Sequence, residues 1–262
     1  MNCRICGNLT DELFRKEVLH KYEAEYRRCR NCGFIQLENP FFLDEAYARS
    51  ITASDVGLLA RNLRFAEQLA PAFYWFFERD KRYLDYGGGY GVFVRLMRDI
   101  GFDFRWSDRY TANLFADGFA AGNEEEGFEA ITALEVFEHL DFPMTELERL
   151  LERSDTVAIG TNLTDGCPEN ELANWHYLGC EHGQHISFFS VCTFRHIAAR
   201  LKLHLYTDGR GLTILTRRKP SSRLATVIAL RHRYSVLLLE FVKLRMCSRI
   251  EADAARARGE RQ

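Results

Sequence analysis

No stretch of this sequence is apolar for long enough to cross a bilayer. The most apolar segments near the C-terminus, Leu224 to Leu230 and Ser235 to Leu239, are broken by Arg231, Arg233, Glu240 and Lys243. Neither approaches the roughly 20 residues that a spanning helix needs. The opening Met1-Asn2-Cys3-Arg4 also lacks the apolar core of a secretory leader. The expectation is a soluble, cytoplasmic protein, at most peripheral to a membrane. Net charge is equally small, −2 over 262 residues, which gives no reason to expect a nucleic-acid partner for the chain as a whole. The average hides an asymmetry. From Arg217 onward there are 12 Lys/Arg against 4 Asp/Glu, whereas residues 1–216 carry 23 against 33. The body is acidic and the tail basic. With 47% hydrophobic and 13% aromatic residues, the chain is long enough for one large domain with accessories.

Two nucleotide signatures are missing as well. No G-K-[ST] follows a glycine loop, and a G-x-G-x-x-G starting at Gly87 would need glycine where Val92 stands. What is present is Asp85-Tyr86-Gly87-Gly88-Gly89-Tyr90-Gly91, between the apolar pair Tyr83-Leu84 and a helical stretch from Val92 to Ile100. Alternate glycines let a backbone leave a strand sharply and approach a ligand without Cβ clashes. The helix behind them presents unpaired N–H groups at its N-terminus. An acid in this motif suits a cationic or zwitterionic ligand. Asp108, after a strand-like run to Trp106, stands where a carboxylate can hold two ribose hydroxyls. The alternative is a glycine-rich surface turn.

Four of eight cysteines form Cys3-x-x-Cys6 and Cys29-x-x-Cys32, separated by 22 residues, with Gly7 and Gly33 directly behind. Two such knuckles supply the tetrahedral thiolate shell that zinc prefers. A disulfide framework is the competing reading and is disfavoured in a cytosolic chain. Four sulfurs leave no open coordination position, so this zinc is expected to be structural. Cys167, Cys180, Cys192 and Cys247 have no ligand spacing.

The rest alternates. Helical spacing over about 43–50 and 54–79 leads into strand Tyr83–Tyr86, helix Val92–Ile100, strand Phe104–Ser107, strand Ala130–Leu134 and helix Met144–Arg153 with Asp141 as N-cap. Strand Thr156–Thr161, helix Val191–Leu201 capped by Ser190, and a hairpin of His204–Thr207 with Leu212–Arg217 complete it. This pattern predicts an α/β, doubly wound sheet ending in an antiparallel strand. A ligand then belongs outside the carboxyl ends of the strands, where Gly87, Asp108 and Glu135 fall. Residues 162–189 are too many for a plain connector. They carry Trp175, His176, Tyr177, Glu181, His182, Gln184 and His185, the make-up of an active-site wall. A histidine there can take a proton near neutral pH, although any single one could equally be bonded to backbone.

Four segments together resemble the class I S-adenosylmethionine (SAM)-dependent methyltransferases. They are Leu84-Asp85-Tyr86-Gly87-Gly88-Gly89-Tyr90-Gly91, Ser107-Asp108-Arg109-Tyr110, Ala133-Leu134-Glu135-Val136-Phe137-Glu138-His139-Leu140, and Glu181-His182-Gly183-Gln184-His185-Ile186-Ser187-Phe188-Phe189-Ser190. With the four cysteines, the chain is similar to the zinc-ribbon-bearing subgroup associated with sugar and polysaccharide biosynthesis, from Cys3 to about Arg217. The resemblance implies a Rossmann-like seven-stranded sheet with an antiparallel last strand. It divides the chain into a zinc ribbon (1–40), a helical lead-in (41–80), a SAM-binding domain (81–219) and a basic helical tail (220–262). It further implies that Asp85, Gly87, Gly89, Gly91, Asp108, Leu134 and Glu135 contact the cofactor, and that residues 117–119 lie against adenine.

In-line methyl transfer draws much of its rate from alignment, and a hydroxyl acceptor adds the need for a base. His185 is the first candidate and His182 the second, with Glu181 to orient them. Glu135, Glu138 and His139, at i, i+3 and i+4, could hold a divalent cation, as E-x-x-E-H segments do in ubiquinone-pathway O-methyltransferases, or could merely anchor a turn. The acceptor expected from the resemblance is a nucleotide-linked or glycan-linked sugar hydroxyl. An RNA base, a sugar carbon or a non-catalytic scaffold are the alternatives. The basic tail can pack on the body or a dimer partner, touch a membrane surface or contact a nucleic acid.

Overall fold

A computed structural model describes residues 1–48, 56–122 and 125–259. Its centre is a six-stranded sheet. Strands β4 (Arg82–Tyr86), β5 (Asp103–Ser107), β6 (Ile131–Leu134) and β7 (Thr156–Gly160) run parallel in the order β5-β4-β6-β7. Strand β10 (Leu212–Thr216) adds antiparallel to β7, and β9 (His204–Thr207) closes the far edge against β10. Every residue of β7 and β10 is buried, as expected of strands covered on both faces and rich in branched side chains.

Helices α2 (Leu58–Phe76) and α3 (Val92–Ile100) cover one face, packing Phe65, Leu69, Phe73, Phe93 and Met97 against Tyr83 and Phe104. Helices α4 (Pro143–Arg153) and α5 (Val191–Leu201) cover the other with Leu147, Leu150, Phe194 and Ile197. Ser190 does cap α5, its hydroxyl accepting from Thr193 N at 3.0 Å. Asp141 does not cap α4. The cap position is Phe142, with no side-chain bond, and Asp141 instead pairs with Arg4 at 2.9 Å.

Among the described residues the sheet has six strands rather than the seven expected. The edge beyond β5 is reduced to a single parallel bridge between Trp106 and Ala120. Gly118 and Gly122 flank that bridge, and among the described residues no continuous ladder forms there.

The cysteine-bearing N-terminus forms a second sheet from β1 (Thr10–Val18), β2 (Tyr22–Cys29) and β3 (Ile35–Leu37). Its fourth strand comes from far along the chain: β8 (Ser187–Phe188) pairs with β3 through Ile35 and Phe188. A short helix α1 (Leu43–Ala46) follows β3. Helices α6 (Arg223–Ile228), α7 (His232–Arg245) and α8 (Ile250–Ala257) form the C-terminal tail and lie on the α2/α3 face. The expected helical stretches over 43–50 and 54–79 are represented by α1 and α2, and residues 49–55 lie outside the described ones.

Candidate active site

The glycine loop joins β4 to α3 and folds down onto the end of β5. Gly87 and Gly88 donate to the Ser107 carbonyl at 2.8 and 3.2 Å, and Trp106 Nε1 donates to the Gly89 carbonyl at 2.9 Å. Gly87, Gly89 and Gly91 have φ of 68°, 52° and 85°, a region that costs other residues about 1–2 kcal/mol. Space is also limiting: a Cβ on Gly87 would stand 2.5 Å from a Val136 methyl. Asp85 lies beneath the loop with 2% of its surface exposed, accepting from the Thr132 hydroxyl at 2.6 Å. Burial, and secondarily the neighbouring Asp108, push its carboxyl up to about 7. Asp85 therefore shapes the loop from below.

Asp108 stands at the loop's rim, half-buried. One oxygen accepts from Gly89 N at 2.9 Å and the other from Tyr110 N and Thr111 N at 2.7 and 2.8 Å. Three N–H donors hold the carboxylate still and leave acceptor capacity for a diol. A glycine turn beside a fixed acid is a good fit for the ribose and methionyl portion of an adenosyl sulfonium. Phe119 is buried, with the Arg98 guanidinium 3.7 Å from its ring centroid, and Asp117 accepts from the adjacent Gly118 N.

Leu134 and Glu135 end β6 next to this turn. Glu135 has φ 55°, a left-handed backbone unusual away from glycine and asparagine and frequent at functional sites. Its N–H donates to the Gly160 carbonyl at 2.7 Å, and its carboxylate faces Arg61 Nε at 3.5 Å. Glu135 is thereby drawn toward α2, and the carboxyl that joins His139 is Glu138's.

One donor atom each from Glu138, His139 and His185 lies within 4.8 Å of the others. The trio expected from i, i+3, i+4 spacing thus gains His185, from 46 residues away, in place of Glu135. Glu138 has no exposed surface. Tyr177 donates its hydroxyl to Glu138 Oε1 at 2.6 Å and in turn accepts from the Thr161 hydroxyl at 3.2 Å. Oε2 of Glu138 has no partner among the described residues. Burial pushes this carboxyl up to about 7, against the bond from Tyr177. Desolvation, with His139 next, holds His185 well below the usual 6.5.

The histidines separate by tautomer. His185 Nδ1 lies 2.6 Å from the Tyr177 carbonyl. A carbonyl only accepts, so Nδ1 carries the proton and Nε2 keeps its lone pair. His182 Nδ1 instead accepts from Gln184 N at 3.1 Å, which places its proton on Nε2. His182 is packed against Gly179, where a Cβ would come within 2.3 Å of the ring. Of the two candidate bases, His185 is the one with a basic nitrogen off the backbone. Glu181 is exposed on the preceding turn, and the carboxyl close to His185 is Glu138, a pairing that sequence spacing does not indicate. Arg61, Thr161 and Tyr177 also went unassigned in the sequence. Only the polarity of the 162–189 loop hinted at Tyr177.

The four cysteine sulfurs lie within 4.8 Å of one another. Cys3 and Cys32 are 3.6 Å apart and Cys6 and Cys29 3.4 Å, too long for disulfides and near the edge length of a zinc–thiolate tetrahedron. Ile5 N points at Cys3 Sγ from 3.4 Å, and a hydrogen bond from Cys32 lowers the Cys3 thiol to about 5. The donor set fits one soft divalent ion.

The methyltransferase-domain family matches residues 58–206, more than half of the chain. The chain belongs to this family and contains a class I SAM-dependent methyltransferase domain. Among solved structures, TnmH aligns at TM-score 0.50 and 17% identity over 67% of this chain and 61% of its own. This chain therefore spans less than two thirds of TnmH, and at that identity the likeness is one of fold. The plantazolicin methyltransferase BpumL, solved with SAH, aligns at TM-score 0.47 and 13% identity over 69% and 93% of the two chains. A SAM-dependent methyltransferase from Thermotoga maritima aligns at 0.45 and 13% over 69% and 98%. No curated protein matches the sequence.

Proposed function

We propose that the protein transfers a methyl group from SAM to a hydroxyl of a nucleotide-linked or glycan-linked sugar, with His185 as the proton acceptor. The observation that carries the reading is the neutral His185, its Nε2 left unprotonated as an acceptor by the Nδ1 bond to the Tyr177 carbonyl. Bound SAM supplies an electrophilic methyl on a cationic sulfur. The chain's part is positioning and proton handling. Asp108 would bind the ribose diol, Gly87, Gly89 and Gly91 would line the methionyl path, and Leu134 and Glu135 would border the sulfur end. His139 and Arg61, each partly exposed, would meet a polyhydroxylated acceptor, with the bonded pair Glu138 and Tyr177 buried behind them. An acidic body, 33 Asp/Glu against 23 Lys/Arg before Arg217, speaks against a phosphate-rich RNA acceptor.

The four cysteines would hold a structural zinc, which leaves no coordination position for substrate. Their place in the fold supports this role. Thr193 donates to the Cys32 carbonyl at 2.9 Å and Arg200 to the Ile5 carbonyl at 2.9 Å, so the knuckles are bolted to α5.

A screen of nucleotide sugars with labelled SAM tests the reading. His185→Ala is expected to lower kcat by roughly a hundredfold or more while leaving SAM affinity within about twofold. Asp108→Ala should weaken SAM binding by roughly tenfold or more in calorimetry. Full turnover by His185→Ala would remove the base assignment, and no SAM binding by the parent chain would leave a scaffold. NMR of the product separates O- from C-methylation.

A further inference from the structure

Helix α7 is apolar on two faces. Ser235, Leu239 and Val242 form the buried one, packed toward α2. Tyr234, Leu237, Phe241 and Leu244 form the other. Their 3-4-3 spacing aligns them on one side of the helix, and all four are exposed, Leu237 by 66% and Leu244 by 84%. The stripe continues onto α2 through Trp75, also exposed, whose ring stacks on Phe241 at 5.8 Å and 15°. A run of large apolar side chains of this kind on a soluble surface marks a contact site.

Cations rim the stripe. Arg231, Arg233, Lys243 and Arg245 are all exposed. The guanidinium of Arg233 lies 4.5 Å from the Tyr234 ring centroid and that of Arg245 5.3 Å from Phe241. Helix α7 holds one acid, Glu240, which is paired with Lys243 at 2.7 Å. From Arg217 onward the charge is +8, and over residues 1–216 it is −10.

We propose that this face of α7, with Trp75, docks on a lipid bilayer surface bearing anionic headgroups. The stripe would enter the headgroup boundary while the rim cations meet lipid phosphates. Trp75, Tyr234 and Phe241 are the aromatic types that favour that boundary. The charge distribution selects this occupant over a second copy. Two-fold pairing through the same stripe would set one rim of cations against another. A bilayer meets the rim with opposite charge, and repulsion of the acidic body turns the tail toward the surface. The exposed Leu237 and Leu244 of the stripe offer nothing to a nucleic acid, whose contacts are phosphate and base planes. The inference stands apart from the methyl-transfer reading, and its test uses no activity.

The test is co-flotation of the full chain with vesicles of three parts phosphatidylcholine to one part phosphatidylglycerol, and with phosphatidylcholine alone. Binding is expected on the anionic vesicles with a blue shift of tryptophan emission, and weak binding on the neutral ones. Leu237→Asp/Leu244→Asp should reduce binding by about tenfold or more. Arg233→Glu/Arg245→Glu, which keeps the apolar stripe, should reduce it similarly and lessen its salt dependence. Circular dichroism verifies that both variants fold. The proposal is overturned if the parent chain does not float with anionic vesicles, or if both variants bind as the parent does. It is also overturned if sedimentation shows a parent dimer that the leucine variant alone disrupts, since a second copy then covers the stripe.

Discussion

Glu138 is a carboxyl without solvent, and burial outweighs the Tyr177 bond in setting how it answers pH. Its folded value of about 7 stands above the ordinary 4.5, so the native state binds a proton more tightly than the unfolded chain. The stabilisation this brings is full below about 4.5 and is lost as pH rises through 7. Asp85, raised from 3.8 to about 7, acts in the same direction. His185 acts in the opposite one. Its depressed value favours the neutral folded form, so its contribution is full above 6.5 and is lost as pH falls below that. Glu138→Gln keeps an acceptor for the Tyr177 hydroxyl and removes the buried charge. Urea unfolding should therefore find the variant more stable than the parent at about pH 8, by on the order of 1–3 kcal/mol, with the difference gone at about pH 5. An unchanged pH slope would mean that Glu138 is solvated in the native state. At this scale the sequence singled out His185 through the polar make-up of its loop and Asp108 through its place after a strand-like run. It did not expose the Glu138–Tyr177 bond, because the partners are 39 residues apart and meet only through the fold.

Elements show the same division. The periodicity of α3, α5 and β7 is local, and so are the glycine loop and the Ser190 cap, and all were legible. Strand β8 was not. It has two residues, and it exists because Ser187 and Phe188 find Gln36 and Ile35 of β3, 151 and 153 residues upstream. That pairing carries His185, two residues before β8, to the rim of the site, while Gln184 Nε2 bonds the Ala46 carbonyl at 2.8 Å. The tail helices were legible as helices, but not their mooring. Arg98 on α3 is buried and donates to both Asp253 oxygens, at 2.8 and 2.6 Å. It also bonds Asp103 and the Phe104 carbonyl. Asp253→Asn leaves that guanidinium short of its counter-charge, and the expected loss in thermal or urea unfolding is about 3 kcal/mol or more. Protease cleavage near Met246 should become faster if α8 lifts. A loss under about 0.5 kcal/mol would show that Asp103 alone satisfies Arg98.

For the whole molecule, the N-terminal sheet and the 162–189 loop are one mechanical unit. The cysteine knuckles border β2 and β3, β3 pairs with β8, and β8 is adjacent to His185. On the reading that zinc fills the thiolate cluster, its removal by a strong chelator should lower the midpoint of thermal unfolding. It should reduce kcat more than it weakens SAM binding, since the glycine loop and Asp108 belong to the other sheet. Restoring zinc should restore both. Equal losses in kcat and SAM affinity would place the ribbon's influence on the main sheet instead.

The sequence by itself determined the class of fold, the glycine loop and the cysteine knuckles, because each is written in residues close together whose backbone needs or spacing are local. Tertiary structure alone decided that the main sheet stops at six described strands, that Glu138 rather than Glu181 accompanies His185, and that α7 keeps an apolar face outward. Those outcomes depend on which distant segments exclude water from one another, a property of packing that no short stretch of residues carries.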